Sequence, residues 1–481
     1  MANKVNIHSM PSLTEAVKRT RTPTKIIKED LIIPSRLFSF CNGKKCFIRT
    51  YGCQANVVDS QNILGILTEL GYTPVDDPFD SDIIILNTCA VRENAEDKVF
   101  GEVGALKKYK RMHPDSIIAV CGCMIQQPHV VEKLKKTYSQ VDIMFGTHNI
   151  HRLPLLLDEA IFDKKRIIEV FSKEGEVIER LPIIREDKIK AFVNIQYGCD
   201  KFCTYCIVPY TRGKQRSRTK EDILNECYDL VKQGYKEITL LGQNVNSYGK
   251  DLYEDYTFAS LLEEVAKTNI ARLRFTTSHP WDFSQEMFDV ISKYENIMPY
   301  IHLPLQSGSD SVLRRMGRRY TSSSYKDLVD RLKKTIPNVS LSTDIIVGFP
   351  NETEEEFLDT LEMVEYCQYD FAFTFIYSPR IGTPAAKVVD NVSDEEKHDR
   401  FNRLVKRINE IGVEKYAALE GQVVEVLVEG SSKKDDNILT GYTKDMKLVN
   451  FEGDINHIGQ FVNVKITKGH LFYLSGVEVN E

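Results

Sequence analysis

The chain has 481 residues, of which 42% are hydrophobic and 27% charged, and a formal net charge of −6. This composition is that of a globular protein of about two to four domains, and it excludes a strongly basic nucleic-acid binder, so any RNA contact must come from local patches. No apolar run approaches the ~20 residues needed to span a bilayer, and the first ten residues lack the apolar stretch of a signal peptide. We therefore expect a cytoplasmic protein with no membrane segment.

The first part of the chain divides into two regions. Residues 1–44 carry basic side chains and few apolar ones, which predicts a basic, flexible tail. Residues 45–162 alternate strand and helix patterns, which predicts an open parallel α/β sheet with helices on both faces. Strands are expected at 46–50, 83–86, 117–120 and 143–145. Helices are expected at 62–70, 95–109 and 130–136.

The second part repeats the alternation at greater length. Strands are expected at 192–196, 237–241, 273–276, 300–303, 341–347 and 371–376, with helices such as 221–233 and 325–335 between them. Such repetition over residues 185–417 predicts a partial (β/α)6 barrel, with fewer units than the eight of a complete one. Residues 418–481 are rich in valine and glycine turns and predict a small antiparallel β-barrel, with strands at 423–428, 461–465 and 473–477.

A compact group of three cysteines, Cys199, Cys203 and Cys206, directly follows the first barrel strand. In barrels of this kind the chemistry lies on the loops after the carboxyl ends of the strands. Three thiolates can hold three irons of a cubane cluster and leave the fourth iron for an exogenous chelating group. The alternatives are three core cysteines or a structural zinc site. A structural zinc site has four protein ligands, and no fourth cysteine or histidine lies close in sequence.

Three other cysteines, Cys53, Cys89 and Cys123, each follow a predicted strand of the first domain. Loops at the carboxyl ends of neighbouring parallel strands converge on one crevice, so these thiols can meet in space. The alternative is that each is a small buried residue, since free cysteine packs readily. Cys123 lies farther from its strand than Cys121, so we take Cys123 as the third member and Cys121 as part of the wall behind it. Spectator roles are expected for Cys41, Cys227 and Cys367.

Two further groups of side chains lie near the expected site. Polar residues at or near later strand ends suit contacts to a cofactor, and these are Gln243, Asn244, Ser307 and Asp344. Basic runs near the barrel rim favour phosphate contact, with a solvated face as the alternative: Arg212, Lys214, Arg216 and Arg218, then Arg314, Arg315, Arg318 and Arg319. The terminal barrel offers fewer cations, among them Lys433, Lys434, Lys465 and Lys468.

The spacing of Cys199, Cys203 and Cys206 is that of radical S-adenosylmethionine enzymes, which the barrel resembles. The resemblance implies that the open iron is chelated by the amino and carboxylate groups of S-adenosyl-L-methionine. An electron from the cluster then cleaves the sulfonium to methionine and a 5′-deoxyadenosyl radical. The superfamily also places an aromatic residue beside the adenine at the position of Tyr205, which is equally compatible with a packing role.

From residue 45 onward the chain resembles, more narrowly, the methylthiotransferase family. The matching segments are 51–56 (Tyr-Gly-Cys-Gln-Ala-Asn), 87–93, 121–124, 145–149, 276–280, 302–308 and 348–350. The resemblance implies that Cys53, Cys89 and Cys123 hold a second 4Fe–4S cluster, whose open iron carries the sulfur to be inserted. It also identifies residues 418–481 as similar to a TRAM domain, a small barrel that the family uses on RNA.

Residues 51–56 look most like the MiaB type of this family, which acts on N6-isopentenyladenosine beside the tRNA anticodon. The implied reaction replaces the C2 hydrogen by a methylthio group and uses two S-adenosylmethionine molecules. The implied partners are the isopentenylated tRNA, a sulfur donor and a low-potential electron donor such as flavodoxin or ferredoxin. The alternative substrates are threonylcarbamoyl-adenosine tRNA and a ribosomal protein. A non-enzymatic alternative is a metal-stabilised RNA-binding protein.

Overall fold

A seven-stranded parallel sheet forms the first domain of the computed structural model, which describes residues 4–7, 10–28, 31–91, 93–171, 176–432 and 435–479. The strands of this part are β1 (Lys4–Ile7), β2 (Ile26–Ile27), β3 (Lys45–Thr50), β4 (Thr73–Pro74), β5 (Ile83–Thr88), β6 (Ile117–Gly122), β7 (Ile143–Phe145), β8 (Ile167–Val170) and β9 (Val177–Ile178). The sheet order is β4-β3-β5-β6-β7-β8-β1. Because β5 and β6 are buried along their whole length, they are nearly continuous runs of apolar residues.

Helices cover both faces of this sheet, as predicted. They are α1 (Leu13–Arg19), α2 (Ser35–Cys41), α3 (Gln54–Glu69), α4 (Glu93–Met112), α5 (Pro128–Thr137) and α6 (Leu153–Phe162). Two apolar cores result, one on each face, and the side chains of β5 alternate between them: Ile83 and Ile85 enter one core, Ile84 and Leu86 the other. Each predicted strand and helix of residues 45–162 is therefore present.

The prediction of a flexible tail over residues 1–44 was wrong for its described residues. Strand β1 extends the sheet by pairing with β8, and β2 pairs with β9. Helix α2 buries Leu37 and Cys41 completely. The physical reason is that the apolar residues of this segment find their partners far away in sequence, on α6 and the sheet, and a local count of basic residues does not reveal them.

The same segment also contacts the barrel domain. Thr24 donates to the carboxylate of Asp251, and Lys28 forms an ion pair with Asp222 at 2.5 Å. Lys214 of the barrel domain donates to the backbone oxygen of Thr22. Residues 10–28 therefore form a strap, by which we mean a segment that contacts both the first domain and the barrel.

Substitution of Leu37 by alanine tests whether this segment is integral to the fold. Leu37 is fully buried, so Leu37→Ala should lower the free energy of unfolding by about 2–5 kcal/mol, measured by urea titration of the apoprotein. Phe38, on the same helix, is 46% exposed, and Phe38→Ala is the matched control, with an expected change within about 0.5 kcal/mol. Equal stability of the Leu37 variant and the parent would show that the helix does not contribute to the core.

The second domain is an incomplete parallel barrel. Its strands are β10 (Lys190–Asn194), β11 (Gln196–Tyr197), β12 (Arg216–Ser217), β13 (Glu237–Leu241), β14 (Arg272–Phe275), β15 (Tyr300–His302), β16 (Ser340–Val347) and β17 (Phe371–Ile376). Two parallel sheets of three strands, β10-β13-β14 and β15-β16-β17, contain the six predicted strands. The short strands β11 and β12 form an antiparallel pair that the sequence analysis did not predict.

Helices enclose the outer face of this barrel. They are α7 (Val208–Thr211), α8 (Lys220–Lys232), α9 (Phe258–Ala266), α10 (Gln285–Lys293), α11 (Asp310–Arg315), α12 (Ser322–Thr335), α13 (Glu354–Cys367) and α14 (Asp394–Ala417). Alternate strand residues such as Val193, Leu240 and Ile345 pack into one apolar core with the helices. Their neighbours along each strand point to the inner face, as the two-residue period of a strand requires.

The third domain is a closed barrel of five strands in the order β18-β19-β20-β22-β21. These are β18 (Val423–Ser432), β19 (Asp435–Thr443), β20 (Leu448–Glu452), β21 (Phe461–Gly469) and β22 (Leu474–Glu478). The expected antiparallel pattern holds except where β20 pairs with β22 in parallel. Arg272, at the start of β14 in the second domain, is 1% exposed and links the second and third domains. Its guanidinium donates to the Tyr442 backbone oxygen of β19 at 2.7 Å. No helix in the described residues is long and apolar enough to cross a membrane.

Candidate functional site

Three thiols lie together at one edge of the first sheet. Cys53 precedes α3 as its N-cap, Cys89 follows β5, and Cys123 follows β6. Strands β3, β5 and β6 are neighbours in the sheet, so their carboxyl ends bring these loops to one place. The thiols of Cys53 and Cys89 are close enough for each to shift the pKa of the other, and Cys123 is close enough to raise the pKa of Cys89.

Two glycines allow the three loops to approach each other. A Cβ atom on Gly52 would lie 2.4 Å from the Cys89 Cβ, and one on Gly122 would lie 2.3 Å from the Thr88 backbone oxygen. Both glycines also have positive φ angles, 123° and 96°, that other residues rarely adopt. Glycine is thus required at both positions for the thiols to meet.

An arginine from the barrel domain completes this first cysteine site. Arg212 follows α7, is 5% exposed, and donates from Nε to the Cys123 Sγ at 3.1 Å. Its Nη2 donates to the Asp59 carboxylate at 2.6 Å and to the Asn56 Oδ1 at 3.2 Å. Asn56 in turn donates to the Thr88 backbone oxygen at 2.8 Å. The site is therefore assembled from two domains.

Thiol ionisation at this site is uneven. The hydrogen bond with Cys89 lowers the pKa of Cys53 to about 5, and the positive charge of Arg212 acts in the same direction. The same hydrogen bond raises the pKa of Cys89. Burial raises the pKa of Cys123 to about 11, although Arg212 opposes this effect. One thiolate is therefore readily formed, while burial disfavours two further thiolates unless a cation neutralises them.

The second cysteine site is the loop after β11. The Cys199 N–H donates to the Gly213 backbone oxygen at 3.1 Å, and the Cys206 N–H donates to the Cys203 backbone oxygen at 3.0 Å. Burial raises the pKa of Cys206 to about 12 and raises that of Cys199, with nearby thiols adding to the effect. Three mutually close thiols, of which Cys203 is buried and the other two are half-buried, suit a cationic iron–sulfur group, which favours their deprotonated form.

A second buried arginine contacts this site. Arg318 is 8% exposed, and its Nη1 donates to the Cys203 Sγ at 3.5 Å and lies 2.9 Å from the His279 Nε2. Burial, together with the charge of Arg318, lowers the pKa of His279 to about 2, so the imidazole is neutral and accepts this hydrogen bond. Each cysteine site therefore has one buried arginine whose guanidinium contacts one of its thiols.

Of the five residues predicted to contact a cofactor, two border the cysteine loop. Gln243 accepts a hydrogen bond from the Gly198 N–H, next to Cys199. Asn244 donates at 2.8 Å to Asp282, which forms an ion pair at 2.7 Å with Lys201 of the loop itself.

Tyr205 lies in the cysteine loop itself, between Cys203 and Cys206, and the remaining two residues occupy different surroundings. Tyr205 packs in an apolar cluster with Met316, Phe349 and other residues. Asp344 lies on the inner barrel face, 3.4 Å from the His302 Nε2. Ser307 is fully buried, and its hydroxyl lies 3.3 Å from that of Thr360 on α13.

Buried polar atoms beside this loop indicate room for a polar ligand. Within the described residues, side-chain atoms of Asn194, Gln196, Asn244 and Ser278 are buried and have no hydrogen-bond partner. Such atoms are costly unless a ligand or water satisfies them. No His, Cys, Asp and Glu group in the described part of the chain is arranged for a single metal ion. A cluster of four irons is larger and takes one thiolate at each of three corners, so the donor set fits a cluster better than zinc.

The remaining cysteines are core residues. Cys41, Cys46 and Cys121 belong to one apolar core of the first domain, and Cys227 and Cys367 belong to the core of the barrel. This placement agrees with the choice of Cys123 over Cys121 as the member of the first site.

The expected phosphate contacts of the two basic runs were mostly wrong. Arg212, Lys214, Arg216 and Arg318 are buried, and Arg218 forms ion pairs with Glu179 at 2.8 Å and Glu226 at 2.7 Å. Arg315 pairs with Glu356, while Arg314 and Arg319 are exposed. The reason is that carboxylates distant in sequence neutralise several of these cations inside the protein. In the terminal barrel Lys465 and Lys468 are exposed, and Lys433 and Lys434 lie outside the described residues.

Three family models match the chain. Residues 193–364 match the Radical SAM superfamily, residues 45–146 match "Uncharacterized protein family UPF0004", and residues 417–479 match the TRAM domain. A solved structure of the radical S-adenosylmethionine methyltransferase TsrM from Kitasatospora setae has a similar fold, with a TM-score of 0.53 at 14% identity. That likeness covers 71% of this chain and 77% of the other. The fold and the site define a radical S-adenosylmethionine enzyme.

Relatives with much higher sequence identity show to which family of radical S-adenosylmethionine enzymes the chain belongs. One from Anoxybacillus flavithermus is 56% identical over 98% of this chain and 89% of its own length, and one from Geobacillus kaustophilus is 54% identical over the same shares. Both are named tRNA-2-methylthio-N(6)-dimethylallyladenosine synthase, as is a relative from Staphylococcus haemolyticus at 53% identity. The chain belongs to the family of tRNA-2-methylthio-N(6)-dimethylallyladenosine synthases.

Asn351, which follows Phe349 and Pro350, has a left-handed backbone with a φ angle of 62°. Asparagine is one of the few residues that tolerate this left-handed conformation, because its short side chain can hydrogen-bond locally. Its Nδ2 donates to the Val389 backbone oxygen at 3.1 Å.

Proposed function

We propose that this protein is a radical methylthiotransferase that converts N6-isopentenyladenosine beside the tRNA anticodon to its 2-methylthio derivative. The observation that carries the proposal is the joining of the two cysteine sites by one apolar cluster. In it Ala90 and Cys123 of the first site pack with Phe202, Ile207 and residues near them from the second. Two thiol sites that share a wall suit a reaction in which one site supplies sulfur and the other activates the substrate.

We assign one 4Fe–4S cluster to Cys53, Cys89 and Cys123 and the other to Cys199, Cys203 and Cys206. When bound, the clusters and S-adenosylmethionine supply the sulfur, the methyl group, the electron and the radical that substitution at an unactivated C2–H requires. The protein contributes the three thiols of each site, the guanidinium groups of Arg212 and Arg318 at one thiol each, and an apolar wall that excludes water.

Residues around the second site are assigned to S-adenosylmethionine. Gln243 and Asn244 border the cysteine loop, and the free Oδ1 of Asn244 can accept a hydrogen bond from the amino group of the ligand. Tyr205 offers an apolar surface for the adenine, and Asp344 can accept hydrogen bonds from the inner face of the barrel. Ser307, whose hydroxyl lies against that of Thr360 after β15, is kept as the fifth candidate contact.

The proposed reaction also defines partners and location. It consumes sulfur and electrons, so the enzyme needs a sulfur donor and a low-potential electron donor such as flavodoxin or ferredoxin. We assign the enzyme to the cytoplasm, because reducing conditions there keep the thiols available and the proposed substrate is a tRNA. We assign the tasks by domain: residues 45–162 for the sulfur site, 185–417 for the radical site and 418–481 for RNA.

The assay that tests the function compares three substrates. The fully reconstituted enzyme is given isopentenylated tRNA, the same tRNA without the isopentenyl group, and ribosomal protein, and methylthio products are quantified by mass spectrometry. The five carbons of the isopentenyl group contribute several kcal/mol when buried, at ~0.8 kcal/mol per CH₂, so the unmodified tRNA should react at least about tenfold more slowly. Turnover of ribosomal protein alone would refute the proposed substrate.

A further inference from the structure

Three phenylalanines form a row on the last barrel strand, of which Phe371 is half-buried and the other two are exposed. Phe371, Phe373 and Phe375 alternate along β17, and their neighbours Ala372 and Ile376 pack against the barrel core instead. Phe373 is 43% exposed and Phe375 is 44% exposed. Because alternate residues of a strand share a face, the three rings line the inner side of the barrel.

The neighbours of this row belong to the inner face of the barrel. In the register of the sheet, Asp344 of β16 lies opposite Phe373, and Ile346 lies opposite Phe375. The His302 ring centroid is 6.0 Å from that of Phe373. Among the described strands β17 pairs with β16 alone, so it is an edge of the incomplete barrel and the row is open to solvent from the side.

The row continues into the terminal barrel. The ring centroid of Phe371 lies 6.5 Å from that of Phe472, which follows β21 and is 55% exposed. We call Phe371, Phe373, Phe375 and Phe472 the aromatic row. One end of it lies in the domain that matches the TRAM model, and the other points along β17 toward the carboxyl ends of the strands, where the cysteine loop lies.

We propose that the aromatic row is a stacking surface for unpaired nucleotides of the tRNA anticodon loop next to the target adenosine. The inference rests on the proposed function, because that function requires an RNA base to enter the barrel. Aromatic side chains bind unpaired bases by stacking, whatever the base, since every base has a π-face. The ring centroids of Phe371 and Phe373 are 4.7 Å apart and the ring planes are at 80°, an edge-to-face contact that fixes the orientation of the two rings.

The position of the row favours RNA over a protein partner. An apolar surface recessed on the inner face of a barrel does not admit a flat protein surface, whereas bases of a loop can be splayed out and inserted. The carboxylate of Asp344, in register with Phe373, would repel phosphate. The row is therefore suited to hold bases, with the phosphates outside the barrel.

The test measures the affinity of the reconstituted enzyme for a fluorescent, isopentenylated anticodon stem-loop. Phe373→Ala and Phe375→Ala should each weaken binding by about tenfold. Phe79→Ala is the matched control, because Phe79 is 58% exposed in the first domain, away from the row, and its loss should leave the affinity unchanged. The slope of binding against salt should be the same in all variants, since stacking releases no counterions.

Conservative variants separate stacking from simple burial and from misfolding. Phe375→Tyr keeps the ring and should bind the stem-loop with the affinity of the parent. Phe375→Leu keeps the apolar area but not the ring, and its affinity should be several-fold lower. The parent enzyme should bind a stem-loop with abasic sites beside the target adenosine about tenfold more weakly than the intact stem-loop. For the abasic stem-loop, the parent and Phe375→Ala should have equal affinities. Unchanged affinity of both alanine variants, or full affinity of the leucine variant, would overturn the inference. Failure of the parent to bind or modify the stem-loop would instead overturn the proposed function.

Discussion

Replacement of Cys53, Cys89 and Cys123 together by alanine should abolish methylthiolation and leave the formation of 5′-deoxyadenosine in place. The reason is spatial: these thiols lie at the edge of the first sheet, whereas S-adenosylmethionine is assigned to the loop of Cys199, Cys203 and Cys206. Iron should fall by about half, from ~8 to ~4 per chain. Iron analysis and chromatographic assay of both products after anaerobic reconstitution measure the effect.

Two companion variants make this result decisive. Alanine at Cys199, Cys203 and Cys206 should also remove about half of the iron, but with complete loss of 5′-deoxyadenosine formation. Cys121→Ala is the matched control for the first triplet, since Cys121 is two residues from Cys123 but packs in the apolar core, and its iron content should match that of the parent. Full iron in either triple variant would show that its site has been misassigned.

Replacement of Arg212 by alanine should lower both the stability of the protein and the reduction potential of the first cluster. Arg212 belongs to the barrel domain, and its guanidinium contacts Asp59 and Cys123 of the first domain. Its loss leaves the Asp59 carboxylate, 7% exposed, without its ion pair at 2.6 Å. Removal of one partner of a buried pair costs about 3–5 kcal/mol, so unfolding of the apoprotein should occur at clearly lower urea concentration. Cys123 also loses its hydrogen bond from Nε, and hydrogen bonds to cluster sulfurs raise the reduction potential.

The electrostatic part of this effect is separable from the structural part. The test uses the variant that lacks Cys199, Cys203 and Cys206, so that only one cluster remains. In this variant, replacement of Arg212 by methionine together with Asp59 by leucine should lower the midpoint potential of that cluster. The free energy of unfolding should be restored, because an apolar pair replaces the buried ion pair. Arg218→Ala is the matched control, because Arg218 forms buried ion pairs with Glu179 and Glu226 and contacts neither cysteine site in the described residues. It should lose stability at an unchanged potential. Equal potentials in all variants would limit Arg212 to a structural role.

The sequence allowed the cysteine sites to be located because each member follows a strand whose apolar residues are recognisable. Cys53, Cys89 and Cys123 are far apart in the chain, and only the rule that parallel strands end at one edge brings them together. The structure places them so, with β3, β5 and β6 adjacent. Their assignment as cluster ligands stays a prediction that the iron analysis above tests.

The roles of the arginines could not be predicted in this way. A run such as Arg212 to Arg218 has the same local pattern whether it is solvated, bound to phosphate or buried. The deciding partner of Arg212 is Asp59, 153 residues earlier, and that of Arg318 is a neutral histidine on another loop. The inner aromatic row was missed for a related reason: alternation along β17 shows two faces but does not show that one of them lies at an open barrel edge.

The strap formed by residues 10–28 has a consequence for the order of folding during synthesis. Thr24 is made early, yet its partner Asp251 lies 227 residues later, and β1 pairs with β8 only after Val170 has been made. Since domains fold as they leave the ribosome, the first sheet can form before this segment has anything to bind in the barrel. Residues 10–28 therefore reach their contacts with the barrel late, only once the segments around Asp222 and Asp251 have been made and folded.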